Sequence, residues 1–291
     1  MPNLKEVRNR ITSVNSTKQI TSAMKMVSAA KLRRAQDAVV QMRPYAEKLQ
    51  EILSNVSASL DLSEGVFSAP REVKNVLIVA ITSNRGLCGA FNNNVLKNVN
   101  KLIADDYKGK NVKVLGLGKK SFEFYGRTGQ HVSTPGLSEK PYEIFDKLTF
   151  QNASNIAQVI MDEYLAFNFD EVVLVYNSFK NAASQIIKTE QFLPMVPAEG
   201  NSTSNVDYIF EPTKEEIISG LLPKSLKLQL FKGLLDSFAA EHGARMTAMH
   251  KATDNASELL KNLKLSYNKA RQAAITNEIL EIVGGAEALK N

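Results

Sequence analysis

The sequence predicts an α/β domain combined with a long antiparallel coiled coil, the coil built from one helix at each terminus. Three observations predict it. Apolar residues recur at heptad spacing through both ends of the chain. Between about Lys74 and Phe210 the period changes to that of buried strands alternating with helices. Written as helices, the ends are also far too long for a globule of this mass. The expected segments are 1–60, 61–212 and 213–291.

The first segment, about Asn3 to Leu60, has no glycine, and Pro44 is its one interior breaker. Leu4, Val7, Ile11 and Val14 are spaced 3-4-3, and Ala35, Met42, Tyr45, Leu49, Ile52 and Val56 form a second frame. Between them the pattern is expected to drift through Ile20, Met24 and Val27, as a helix wound nearer 3.6 than 3.5 residues per turn would. Pro44 removes one backbone bond and predicts a bend near Val40 to Pro44 without ending the helix. Its length would be about 85 Å at the standard rise.

The middle segment opens on a buried-strand run, Val76 to Ser83. Val112–Leu117, Glu171–Tyr176, Gln185–Phe192 and Val206–Phe210 are further strand candidates. Asn92–Tyr107, Lys119–Tyr125 and Asn152–Phe167 read as helices. This alternation predicts a partly parallel, Rossmann-like sheet covered by helices. Glu199–Val206 reads as a loop.

The last segment, about Lys214 to Leu289, carries a seam of Met246, Met249, Thr253, Ala256, Leu260, Leu263, Tyr267, Ala270, Ala274 and Asn277. Earlier, Leu228, Phe231, Leu235 and Phe238 share the spacing, and Leu230 and Leu234 widen the apolar face toward the middle domain. Pro223 is expected near the helix start, and Gly243 is a weak point by helix propensity. This helix would be on the order of 100 Å long. A compact domain of this size has a radius of gyration near about 19 Å. The helices must therefore protrude, and pairing relieves the marginal stability of a lone one.

Composition narrows the function classes. Of 291 residues, 44% are apolar and 23% charged, and the longest aliphatic run, Val76 to Ile81, is too short to span a membrane. The start, MPNLKEVRNRI, has neither an apolar signal core nor a presequence pattern, so a cytoplasmic mature protein beginning here is expected. Residues 1–50 hold 10 Lys/Arg against 3 Asp/Glu, while the net charge of the whole chain is +6. A basic end beside an acidic middle wants an acidic partner. Cys88 is the single cysteine, so no internal disulfide can form.

The residues offer little chemistry. GLGKKS (Gly116 to Ser121) resembles a phosphate loop, but Lys113 stands where that loop needs glycine and Lys120 where it needs Ser/Thr. It reads as a strand end and a basic helix start. Asn84 to Asn92 has two glycines rather than the three of a dinucleotide fingerprint, and reads as a tight strand-to-helix turn. Cys88 reads as a small buried thiol, and His131, His242 and His250 as solvated surface histidines. No catalytic residue, cofactor or metal site is expected. Beside a mechanical role, two readings stay open from the residues alone. One is a nucleotide-dependent enzyme built on the middle domain; the other is a basic coiled-coil adaptor for nucleic acid or anionic lipid.

ITSAMKMVSAAKLRRAQ (within Ile11 to Gln36) and ARMTAMHKATDNASELLKNLKLSYNKARQAAITNEILEIVGGAEAL (Ala244 to Leu289) closely resemble the gamma subunit of bacterial F-type ATP synthases. RGLCGAFN (Arg85 to Asn92) and YNSFKNAASQ (Tyr176 to Gln185) resemble its middle-domain motifs, and the likeness covers nearly the whole chain. It implies a non-catalytic rotor shaft inside a ring of alternating alpha and beta subunits. The α/β domain would be a foot on the c-subunit ring that binds the epsilon subunit. Proton flow would turn the shaft and drive ATP synthesis in beta.

The resemblance places Met24, Lys25, Arg245, Gln272 and Thr276 against loops of beta, and Tyr208, Phe210 and Glu211 near the c ring and epsilon. Ile279, Ile282, Val283 and Leu289 would form an apolar bearing tip that lacks aromatic anchors. No nucleic acid partner is implied, and membrane association would come only through the complex, on the cytoplasmic face of the bacterial inner membrane. Two positions depart from the family: Asn84 stands where aspartate is usual, and Gly243 where a better helix former is usual.

Overall fold

The structure is a computed structural model that describes residues 4–57, 66–69, 71–132, 134, 136–182, 184–195 and 214–288. The element order is α1 (Leu4–Ser57), β1 (Asn75–Ile81), α2 (Phe91–Ala104), β2 (Asn111–Leu117), α3 (Lys119–Thr128), a 3-10 helix (Pro141–Asp146), α4 (Phe150–Leu165), β3 (Glu171–Phe179), β4 (Gln185–Leu193) and α5 (Lys214–Ala288). The strand expected at Val206–Phe210 and the loop at Glu199–Val206 lie outside the described residues. By packing, the chain divides into two compact units, Met1–Ser28 with Met246–Asn291, and Ala29–Arg245. The cuts fall inside both long helices rather than at their ends.

In the unit Ala29–Arg245 the four strands lie in the order β2-β1-β3-β4. β1 runs parallel to β2 and β3, with Val76 opposite both Val112 and Glu171, and β4 returns antiparallel to β3. The run NVLIVAI of β1 shows no polar alternation because helices cover both of its faces. Leu77, Val79 and Ile81 point into a core with Ala157, Ile160 and Met161 of α4 and Leu226, Leu230 and Leu234 of α5. Val76, Ile78 and Ala80 point the other way, toward Val95 and Val99 of α2 and the rings of Tyr107 and Tyr125. Leu230 and Leu234 have no exposed surface, and burying each contributes roughly 1.5–3 kcal/mol. Leu230→Ala would cost about 2–5 kcal/mol through the cavity it leaves.

Local signals set the ends of these helices. The Thr149 hydroxyl accepts the Asn152 N–H and starts α4. Gly129, at φ +70°, takes the left-handed position that ends α3. Pro223 sits inside α5 rather than at its start. The helix continues across it as Leu222, Leu226 and Leu230 follow one another at four-residue spacing into the core. Pro44 likewise lies within an unbroken α1.

The unit Met1–Ser28 with Met246–Asn291 is an antiparallel helix pair. Thr21 meets Thr253 and Lys25 meets His250, so one number rises as the other falls. The α5 seam runs as expected from Met246 through Ala274, but Asn277 is exposed. In α1 the expected drift is absent: Ile20 and Val27 are 59% and 57% exposed. The first heptad frame continues instead through Lys18, Thr21, Lys25 and Ser28, all buried or half-buried. Polar residues occupy the middle of the seam, so counting only apolar residues loses the phase. The same frame carries on through Leu32, Ala35, Met42 and Leu49, and Leu49 packs with Leu222 and Leu228. Tyr45, expected on the seam, is exposed.

Candidate functional site

The carboxyl ends of parallel strands are where α/β sheets bind ligands. Here those ends carry a set of inward cross-links. Thr82 and Ser121 exchange hydrogen bonds: the Thr82 hydroxyl donates to Ser121 Oγ at 2.9 Å and accepts the Ser121 N–H at 2.9 Å. Asn84 Oδ1 accepts the Lys119 N–H, and its Nδ2 donates to the Tyr142 carbonyl, each at 2.9 Å. The Lys120 N–H bonds to the Ser83 carbonyl and the Phe122 N–H to the Gly118 carbonyl. The first amides of α3, which a phosphate would need, are therefore all engaged within the chain. Gly118, at φ +149°, brings its Cα against Thr82, where a Cβ would stand 2.2 Å from the carbonyl oxygen. GLGKKS is a close strand-to-helix crossing, as its departures from the phosphate loop imply. Asn84, in the turn after β1, thus joins α3 and the 3-10 helix through one amide.

The turn after β1 is tied to α5. Ser83 Oγ donates to the Arg85 carbonyl at 2.7 Å, and Asn92 Nδ2 donates to Ser83 Oγ and to Cys88 Sγ. Arg245 reaches the same turn from α5. Its Nη2 donates to the carbonyls of Arg85 at 2.9 Å and Gly86 at 3.2 Å, and its Nη1 donates to Glu241 Oε1 at 2.6 Å. Arg245, Glu241 and His242 are only 6%, 7% and 4% exposed. Cys88 is buried, packed with Phe91 and Ala240. Above them Arg85, Gly86 and Leu87 are exposed, Leu87 in the left-handed region at φ +61°.

Burial sets the electrostatics of this cluster. It lifts the Glu241 carboxyl above its ordinary range, while the Arg245 guanidinium pulls the other way. It raises the Cys88 thiol, which keeps it a thiol rather than a thiolate. His242 is pushed down to about 3, first by burial and then by the cations Arg245 and Lys31. Its Nδ1 faces Arg245, which has only donors, so Nδ1 accepts and Nε2 carries the hydrogen. The expectation of a solvated His242 is thus corrected, because this face of α5 lies under the turn and against Phe238. Gly243 is corrected too. A Cβ there would stand 3.2 Å from Ala182 Cα and from the Phe179 ring, so the glycine permits a close crossing with the β3–β4 hairpin.

The coil presents different groups. Met24 and Lys25 are half-buried, and Lys25 Nζ lies 3.3 Å from His250 Nδ1. Gln272 and Thr276 are exposed one turn apart, with the Thr276 hydroxyl donating to the Gln272 carbonyl. Ile279, Ile282 and Val283 are exposed by 54%, 70% and 54%. Leu289, Tyr208, Phe210 and Glu211 lie outside the described residues. Among the described residues no helix is long and apolar enough to cross a membrane.

Comparison with known proteins bears on both units. The ATP synthase family profile matches residues 3–289. The ATP synthase gamma chain of Flavobacterium psychrophilum is 62% identical over 292 residues, covering 100% of each chain. That of Flavobacterium johnsoniae is 61% identical over 295 residues, covering 99% of each. The chain belongs to the ATP synthase gamma-chain family. Among solved structures, the rotor of a Euglena gracilis mitochondrial ATP synthase matches with a TM-score of 0.63 at 20% identity, over 94% of this chain and 98% of that one. A second rotational state of that enzyme matches with a TM-score of 0.66, also at 20% identity, over 98% and 94%. At that identity the likeness is one of fold.

For a gamma chain, the sequence missed two features of the site. Glu241 carries no motif, though its i, i+4 spacing to Arg245 was a legible cue. Thr21 and Thr253, joined at 2.8 Å, are a polar rung in the coil that an apolar reading of the seam passes over on the α1 side.

Proposed function

We propose that this chain is the central-stalk rotor subunit of a proton-translocating F-type ATP synthase, itself non-catalytic, carrying torque from the membrane c ring to the catalytic beta subunits. Family membership supports the assignment to the synthase. The observation that carries the mechanical part is the antiparallel helix pair, whose α5 strand leaves Ile275, Ile279, Leu280, Ile282 and Val283 exposed. An exposed apolar band of this kind expects a covering surface. It has no aromatic anchor to hold a partner in one position, which suits a bearing.

Met24, Lys25, Gln272 and Thr276 would meet loops of beta, and Arg245 would act there through the turn it holds. Exposed charge pairs are worth about 0–1 kcal/mol, so contacts made by Lys25 form and release once per step without a lasting penalty. Tyr208, Phe210 and Glu211 would face the c ring and epsilon. The complex, rather than the chain alone, would sit on the cytoplasmic face of the inner membrane.

Co-purification from membranes tests the assignment: alpha and beta should come down in threefold excess over this chain. Gln272→Ala should lower coupled ATPase in the assembled complex while leaving the fold intact. Recovery of the chain without alpha and beta would overturn the proposal, and unchanged turnover would remove Gln272 from the contact set.

A further inference from the structure

We propose that Glu241 is a positioning residue: paired with Arg245, it latches the Arg85–Cys88 turn onto α5 and so fixes how the exposed Arg85–Leu87 tip is presented. The guanidinium is the physical link. One edge meets Glu241 Oε1 at 2.6 Å, and the other meets the carbonyls of Arg85 and Gly86 at 2.9 and 3.2 Å. A planar fork pinned on one edge by a carboxylate cannot swing away from its acceptors on the other. Without Glu241 that edge keeps only the longer contact of Nη1 with His242 Nδ1 at 3.4 Å, so the guanidinium is held less firmly.

The turn needs such a hold. Leu87 occupies a left-handed conformation that side chains rarely adopt, and such a residue persists only where its surroundings over-determine it. The Arg85 and Gly86 carbonyls immediately before it are the groups that Arg245 binds. Ser83 and Asn92 hold the turn from the sheet side, and Arg245 is its tie to α5.

Cys88 makes the latch measurable. It is the only cysteine in the chain, is 2% exposed, and sits between the turn and Ala240 of α5. Lifting the turn from α5 uncovers its sulfur. The latch rests on the rotor reading only for what the tip does in the assembly. Its existence is tested on the isolated full chain.

The experiment is the rate of Cys88 alkylation by N-ethylmaleimide under native conditions, with global stability measured by urea in parallel. Glu241→Gln keeps an acceptor oxygen but removes the charge. It should raise the alkylation rate at least tenfold beyond the factor by which global unfolding increases. Arg245→Lys keeps a cation beside Glu241 but cannot span to both carbonyls, and should raise the rate comparably. It also keeps the test open if Glu241→Gln fails to fold. A rate within twofold of the parent in the folded variants, or a rise that merely tracks global unfolding, overturns the latch. Neither result touches the rotor assignment, which stands or falls on co-purification.

Discussion

His242 gives the chain a calculable pH dependence. Its imidazole is nearly inaccessible, and its folded pKa is pushed down to about 3 by burial, then by Arg245 and Lys31. In the unfolded chain it titrates near 6.5. Below that value the unfolded state binds a proton that the folded state refuses, so stability falls as pH drops from about 6.5 toward 3. The slope is about 1.4 kcal/mol per pH unit, or roughly 2 kcal/mol by pH 5. Glu241 works against this, because a carboxyl raised by burial gains folded stability as it protonates. A difference measurement separates the two. His242→Asn keeps an acceptor oxygen toward Arg245 and cannot titrate. Urea unfolding of parent and variant at pH 7 and pH 5 should show the parent losing about 2 kcal/mol more than the variant. Parallel losses would mean that His242 is hydrated or already charged in the folded chain, and the reasoning from burial would be wrong.

Two further outcomes follow from close contacts. Gly118→Ala would drive a Cβ into the Thr82 carbonyl at a backbone angle alanine does not reach, and would disturb the buried Thr82–Ser121 pair. A loss of about 3 kcal/mol or more is expected by urea unfolding, and a loss under about 1 kcal/mol would show the crossing to be looser than described. In the coil, the hydroxyls of Thr21 and Thr253 each have a backbone fallback, the carbonyls of Lys18 and Met249. Thr253→Val should therefore cost no more than about 1 kcal/mol, and a double-mutant cycle with Thr21→Val should give a coupling below that. A coupling of 2 kcal/mol or more would mean the rung is a principal contact of the pair.

The elements were legible where burial and period agree. β1, α2, β2, α4 and β3 stand within a few residues of their sequence-derived limits because each carries a run or stripe long enough to set its own period. The 3-10 helix Pro141–Asp146 escaped because six residues with two buried side chains present no period. The seam of α1 was misread between Ile20 and Val27 for a different reason. A heptad position requires burial, and Thr, Ser and the stem of Lys can be buried there without being apolar. The site followed the same divide. Arg245 was visible through family motifs, but its burial was not, since a helix sequence does not tell which loop will fold over it. Gly243 looked like a defect because propensity prices only the helix, whereas the crossing with Ala182 and Phe179 is a tertiary fact.

The sheet's carboxyl edge, where α/β folds bind ligands, is tied up by contacts within the chain. An open edge binds ligands because backbone amides and small residues there are left without partners inside the chain. In this chain the polar groups at the edge satisfy one another: Thr82 with Ser121, Asn84 with Lys119 and Tyr142, Ser83 with Asn92 and Arg85. Each such pair removes a donor from the ligand's reach and joins two elements that would otherwise move separately. Arg245 extends the same logic from the sheet to α5, where its cation is taken up by the Glu241 carboxylate and by the carbonyls of Arg85 and Gly86. Binding groups turned inward in this way stiffen the domain, and stiffness is what the proposed rotor role would require.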